Sequence, residues 1–313
     1  MAAVFSKGPS PREITAFNLF LEAGAGNVVK ALRRAGIRSV LFKGPTTARW
    51  LYGHDPRAYG DVDLLVDPAR FEECEHVLKG LGFERSQLER GFAEGRPTHA
   101  STWTRGSVTV DLHRTLVGLG APVEEAWAAL STQTETWTVG RAEVEVLTPA
   151  ARCLVLALHA AQHGPEFART RDDLERAIAQ VPPSIWVQAA SLARSLEAET
   201  AMAAGLLSIA GGRRLVDVLG LRLEHATPRE GSTSFHVAQG LLWLSTRRGL
   251  RAKAQYVWMK LFPPSSVILS RVSWARSGRI PLALAYVVRL VRAFWSAPRA
   301  LWALAQLRRE RRS

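Results

Sequence analysis

The sequence predicts an α+β protein. An N-terminal mixed β-sheet flanked by helices occupies residues 1–147, and an all-helical C-terminal domain follows over 148–313. Three observations lead there. Up to Leu147, short apolar strands alternate with stretches of helical spacing. Two segments, "STWTRGSVTVDLH" and "TETWTVGRAEVEVL", alternate with period two and read as hairpins, the first turning at Arg105-Gly106. After Thr148-Pro149, "PAARCLVLALHAAQHG", "RDDLERAIAQ", "PSIWVQAASLARSL" and "ETAMAAGLLSIAGG" are alanine-rich and helical throughout.

Taken in order, residues 11–36 open with Pro11 in a helix-start context, keep apolar residues at helical spacing and stop at Gly36. "RSVLFKG" is a short strand that ends at Gly44-Pro45, and "TTARWLYG" returns to helix. The next strand is "GDVDLLV"; the helix after it starts at Pro68 and ends near Gly80. A short helix around Glu124 to Leu130 separates the two hairpins, and "EHATPREGSTSF" reads as a mobile loop.

Composition removes several classes of function. Cys74 and Cys153 both lie in apolar helical patterns, which supports neither a disulfide framework nor a cysteine metal site and suits a reducing cytoplasm. The start, "MAAVFSKGPSPREI", lacks the apolar core of a signal peptide. The run Ile280 to Val288 falls well short of the roughly 20 residues a membrane span requires, so no crossing is expected. The net charge of +13 is confined to one end: residues 247–313 hold fifteen Lys or Arg and one Glu, and the other 246 residues sum to −1. That tail mixes arginine with Trp258, Trp274, Trp295 and Trp302. It reads as a surface for nucleic acid or an anionic membrane, or as a helical bundle with solvated arginines.

The chemistry concentrates in acidic residues. Asp61 and Asp63 are two apart on a strand and so project from one face, while Val62 and Leu64 face the core. Carboxylates this close repel unless they share a proton or bind a cation. Asp111 lies on another strand, in "SVTVDLH". Three acids on neighbouring strands suit two Mg2+ ions about 4 Å apart, which activate an attacking hydroxyl and hold a pyrophosphate leaving group. Upstream, "VLFKGPT" offers a strand, a glycine turn and a helix start whose N–H groups could meet a triphosphate, with Lys43 adding charge.

"LFKG", then "RAYGDVDLLV", then "VTVDLH" resemble the DNA polymerase β-type nucleotidyltransferase superfamily. Within it, the chain is similar to the bacterial uncharacterised nucleotidyltransferase family, where a Lys-Gly turn replaces Gly-Ser and "LHAAQHG" resembles a motif of the helical domain. The likeness spans residues 14 to 180, with an echo in "KLFPPSSVIL". It implies a nucleotidyltransferase-type sheet and transfer of a nucleoside monophosphate from a nucleoside triphosphate such as ATP to a small molecule, protein or RNA. By the same resemblance, Asp61, Asp63 and Asp111 are the metal ligands and catalytic residues, with Asp111 helping to deprotonate the acceptor. Lys43, Gly44, Arg57 and Gly60 form the nucleotide-binding set. Pro45 departs from the Ser of the wider superfamily, and the gap from Gly44 to Asp61 is longer than usual. These departures motivate an alternative: a nucleotide-sensing or partner-binding module without turnover, or an accessory protein of a biosynthetic or toxin–antitoxin system.

Arg57 either steadies the acidic loop, contacts phosphate or lies on the surface. His113 shares the face of Asp111 and is a candidate lining residue. His159 and His163, four apart on one helix face, allow metal ligation, yet no Glu follows the first as a zinc protease needs. Packing or capping is the other reading, and the resemblance turns both toward the cleft. Asp172 and Asp173 are expected on a solvated helix face.

Overall fold

The computed structural model describes residues 9–53, 55–86, 99–163 and 167–221, and, further on, 262, 265, 268, 278, 280–288, 290 and 291. The described residues up to 221 belong to one compact unit. Its first helix, α1 (Pro11–Arg34), starts at a capping box in which the Ser10 side chain accepts from the Glu13 N–H and Glu13 accepts from the Ser10 N–H. Leu21, Ala25, Val28, Val29 and Leu32 turn its inner face onto the sheet. Gly26 makes the close approach possible, since a Cβ there would sit 2.8 Å from the Gly140 carbonyl oxygen.

The strands are β1 (Ser39–Leu41), β2 (Val62–Val66), β3 (Glu84–Arg85), β4 (Ala100–Arg105), β5 (Val108–His113), β6 (Thr134–Val139) and β7 (Ala142–Leu147). Helices α2 (Pro45–Tyr52), α3 (Phe71–Gly80) and α4 (Val123–Thr132) connect them. They form one sheet in the order β3-β4-β5-β2-β1-β7-β6. It is mixed: β1 with β7 and β2 with β5 run parallel, and the remaining pairs antiparallel. The central strand β2 is buried at every residue, so its sequence is apolar on both faces except at Asp63.

Both expected hairpins form, β4 with β5 and β6 with β7. The strand expected to carry Asp61 begins one residue later, at Val62, so Asp61 stands at its mouth. The helical region contains α5 (Pro149–His163), α6 (Ala168–Gln180), α7 (Pro183–Ser195), α8 (Glu199–Leu207) and α9 (Gly212–Leu219). Helix α5 is buried almost all round, which explains its run of Ala, Leu and Val. Helix α8 crosses it backbone to backbone: a Cβ on Gly205 would lie 1.9 Å from the Ala157 carbonyl oxygen.

The expected loop "EHATPREGSTSF" and most of the basic tail lie outside the described residues. Of the second unit, residues 280–288 are helical, and Ile268 and Ala285 are buried with Leu282 and Tyr286 against them. Among the described residues no helix is long and apolar enough to cross a membrane.

Candidate functional site

The sheet register builds the site. Parallel pairing of β2 with β5 sets Asp63 opposite Asp111 and Leu65 opposite His113. Directly paired residues point to one face, so Asp63, Asp111 and His113 emerge together. Their ligand atoms all lie within 4.8 Å of one another. His113 Nε2 is 3.1 Å from Asp63 Oδ1, and the Lys43 ammonium donates to the same oxygen at 2.9 Å. Lys43 arrives there because β1 runs antiparallel to β2, with Leu41 opposite Leu64 and the Phe42 N–H donating to the Asp63 carbonyl. The Phe42 ring packs edge-on against His113 at 4.9 Å.

Asp63 is 3% exposed. Burial alone would raise its pKa, but the Lys43 charge and the hydrogen bonds from His113 and Lys43 outweigh burial and hold the carboxyl well below the usual range. Asp61 behaves oppositely: burial, then the charges of Asp63 and Asp111, push it up to about 6, while Lys43 and Arg169 pull the other way. Three carboxylates therefore share one field. Asp61 is not among the three residues whose ligand atoms cluster within 4.8 Å; the third member is His113. Two carboxylates and an imidazole, of which Asp63 and His113 are buried, are a donor set that fits a divalent cation, and the His113 Nδ1 is buried with no hydrogen-bond partner among the described residues.

His159 stands in the same field. Burial, then the charges of Lys43 and His163, drive its pKa well below the ordinary value, with Asp63 opposing and Arg57 assisting. His163 packs on His159 with ring centroids 4.6 Å apart and stacks on Phe167 at 5.0 Å. His99, absent from the sequence reading, lies 6.0 Å from the His113 ring; burial and then His113 and Lys43 lower it to about 4.

The Lys-Gly turn is built as a tight corner. Gly44 has φ +59°, and a Cβ there would come within 3.0 Å of the Asp61 carbonyl oxygen. The helix start beyond it presents less than a phosphate cradle: Pro45 has no N–H, and the Thr46 N–H donates to the Lys43 carbonyl at 3.4 Å. Gly60 is exposed, and a Cβ there meets nothing within 4 Å, so packing does not demand glycine.

Arg57 is a buried anchor. Its Nε donates to Asp173 Oδ1 at 2.7 Å and its Nη2 to Oδ2 at 2.5 Å, and the Tyr52 hydroxyl donates to Oδ1 at 2.8 Å. Burial and Asp173 push the Tyr52 hydroxyl up to about 12. The Asn18 amide donates to the Arg57 carbonyl, and the buried Tyr59 hydroxyl contacts the Asn18 carbonyl and Glu22. The loop that carries Asp61 is thus tied to α1 on one side and α6 on the other. This corrects the expectation for Asp173, which is 1% exposed, while Asp172 keeps half its side chain in solvent as expected. A signal was available: Thr170, Asp173, Leu174 and Ala177, all buried, repeat at the spacing of one helix face.

No curated protein matches the chain. Among solved structures it is similar to the antibiotic-resistance factor ANT(2'')-Ia in solution, at 14% identity and TM-score 0.40, over 58% of this chain and 92% of that one. ANT(2'')-Ia in complex with adenylyl-2''-tobramycin gives 13%, 0.42, 56% and 98%. An antigenic nucleotidyltransferase-like protein from Paracoccidioides brasiliensis gives 15%, 0.35, 57% and 92%. Residues 10–210 match the model of the family described as "Uncharacterised nucleotidyltransferase", a span that takes in the whole sheet, its acids, the Lys-Gly turn and α5 to α8, and the chain belongs to that family.

Proposed function

We propose that the chain is a nucleotidyltransferase dependent on a divalent metal, with Mg2+ the ion the resemblance implies, that moves a nucleoside monophosphate from a nucleoside triphosphate, with ATP the expected donor, to a hydroxyl or phosphate of an acceptor. The observation that carries this reading is the pairing of Asp63 with Asp111 on parallel neighbours, with Asp61 in the same field and one lysine bonded to the set. Carboxylates that raise one another's pKa at close quarters favour a bound cation. Family membership supplies the reaction class.

Divalent ions bound there would polarise the phosphoryl oxygens and favour the ionised form of the acceptor hydroxyl. Asp63 and Asp111 would hold them, with Asp61 at the strand mouth completing the acidic set. Asp63 suits this because Lys43 and His113 hold its carboxyl well below the usual range. Asp111, less buried than Asp63, accepts the proton of the incoming hydroxyl. Phosphate oxygens would draw on the Lys43 ammonium. Gly44 keeps the corner between Lys43 and α2 tight enough for both to approach.

The test is incubation of the protein with labelled nucleoside triphosphates, Mg2+ and a cell extract. Label retained on one acceptor, with release of pyrophosphate and loss of both in Asp63→Asn, supports the reading. Triphosphate bound without release of pyrophosphate in the presence of extract identifies a nucleotide-sensing module instead.

A further inference from the structure

The ligand atoms that converge at this site are two carboxylates and an imidazole, not three carboxylates. We propose that His113 is a direct metal ligand beside Asp63 and Asp111, and that this set of two oxygens and one nitrogen selects a borderline divalent ion such as Mn2+ over Mg2+. The inference takes its location from the proposed transfer site.

The spacing supports it first. Two neighbouring ligands each about 2.1 Å from one ion and at right angles are about 3 Å apart. Asp63 Oδ1 and His113 Nε2 are 3.1 Å apart, now as a hydrogen bond whose bridging proton a shared ion would replace. Rigidity supports it second. Adjacent parallel strands set the two positions through Asp63↔Asp111 and Leu65↔His113, Asp63 and His113 are both buried, and the edge of Phe42 confines the imidazole. Little reorganisation is therefore needed for the two groups to share an ion. A cation already uses this oxygen: the Lys43 ammonium lies 2.9 Å from Asp63 Oδ1. Ligand chemistry supports it third. Mg2+ prefers oxygen and parts reluctantly with water, whereas a neutral imidazole raises affinity for Mn2+ and the later first-row ions. Asp61, Asp63 and Asp111 with the Lys43 ammonium sum to two negative charges, which one dication balances.

The experiment titrates the full chain, without nucleotide, with Mn2+ read by electron paramagnetic resonance, and with Mg2+ as competitor. Wild type is expected to show electron spin-echo modulation from a directly bound nitrogen and to prefer Mn2+ by about tenfold or more, the scale on which ligand-shell changes alter affinity. His113→Gln is expected to lose the nitrogen modulation and most of the preference while Mg2+ affinity changes little; His113→Asn replaces it if the Gln variant does not fold. Absence of nitrogen modulation in wild type, modulation or Mn2+ preference unchanged in a folded His113 variant, or no Mn2+ binding at all would each overturn the proposal. Transfer supported by Mg2+ without a nitrogen signal sinks this inference and leaves the transferase reading standing. A nitrogen signal without transfer under any condition does the reverse.

Discussion

Asp63 and Asp173 are the two most deeply buried acids among the described residues, and their surroundings differ in one respect. Asp173 is fully matched, with one guanidinium spanning both oxygens and a phenol completing the set. Asp63 has Lys43 and His113, and Asp111 and Asp61 lie close by in the same field. The first arrangement is neutral and closed, and it ties a loop to a helix. The second crowds three carboxylates into one field, where Asp63 and Asp111 push the Asp61 carboxyl up. Among buried acids, the group crowded by like charges is the one that points to a ligand.

The largest expected effect breaks the second region. Asp63→Asn should lower transfer to the acceptor identified by labelling by about a thousandfold, equivalent to about 4 kcal/mol of transition-state stabilisation. Asp111→Asn should do likewise without lowering the melting temperature, because it relieves repulsion. Thermal melts beside rate measurements separate the two effects; an Asp111→Asn protein with full activity would remove Asp111 from the machinery.

The next effect breaks the first region. Asp173→Ala strands the buried Arg57 charge, so the chain should lose about 3–5 kcal/mol of stability. Replacing both members, Arg57→Met with Asp173→Leu, should recover part of that loss, and denaturant unfolding measures the difference. If the single and double variants unfold alike, the pair is not coupled.

Gly44→Ala sharpens the comparison at the corner that joins the two regions. A positive φ and the contact with the Asp61 carbonyl should cost about 1–3 kcal/mol, with a loss of transfer larger than the loss of folded protein, because Asp61 must move. Equal losses would make the glycine purely structural. Tyr52→Phe, which removes one of three bonds to Asp173, should cost about 1 kcal/mol. The smallest effect belongs to Asp172→Ala, expected to stay within about 0.5 kcal/mol by the same unfolding measurement.

Much of the fold was legible because its signals are local. The hairpins of "STWTRGSVTVDLH" and "TETWTVGRAEVEVL" follow from period-two alternation, and α5 from a run too apolar for any exposed position. The acids were legible because two aspartates within a strand of Val and Leu contradict their surroundings. Asp173 was missed because the exposed Asp172 beside it suggested a solvated face, and its partner lies 116 residues away in sequence. The start of α2 as a phosphate cradle met a different limit. The turn formed as expected, but whether Thr46 has an N–H to spare depends on the Lys43 carbonyl.

By itself the sequence determined where strands and helices lie, which residue types crowd "GDVDLLV" and "VTVDLH", and that the positive charge resides in the last part of the chain. Only the tertiary structure decided that β5 lies beside β2 in a register opposing Asp63 to Asp111, that His113 rather than Asp61 completes the nearest ligand cluster, and that Arg57 closes on Asp173. The physical reason is range. Periodicity and turn chemistry act over a few residues, whereas strand order, register and buried charge pairing are settled by packing between segments far apart in the chain.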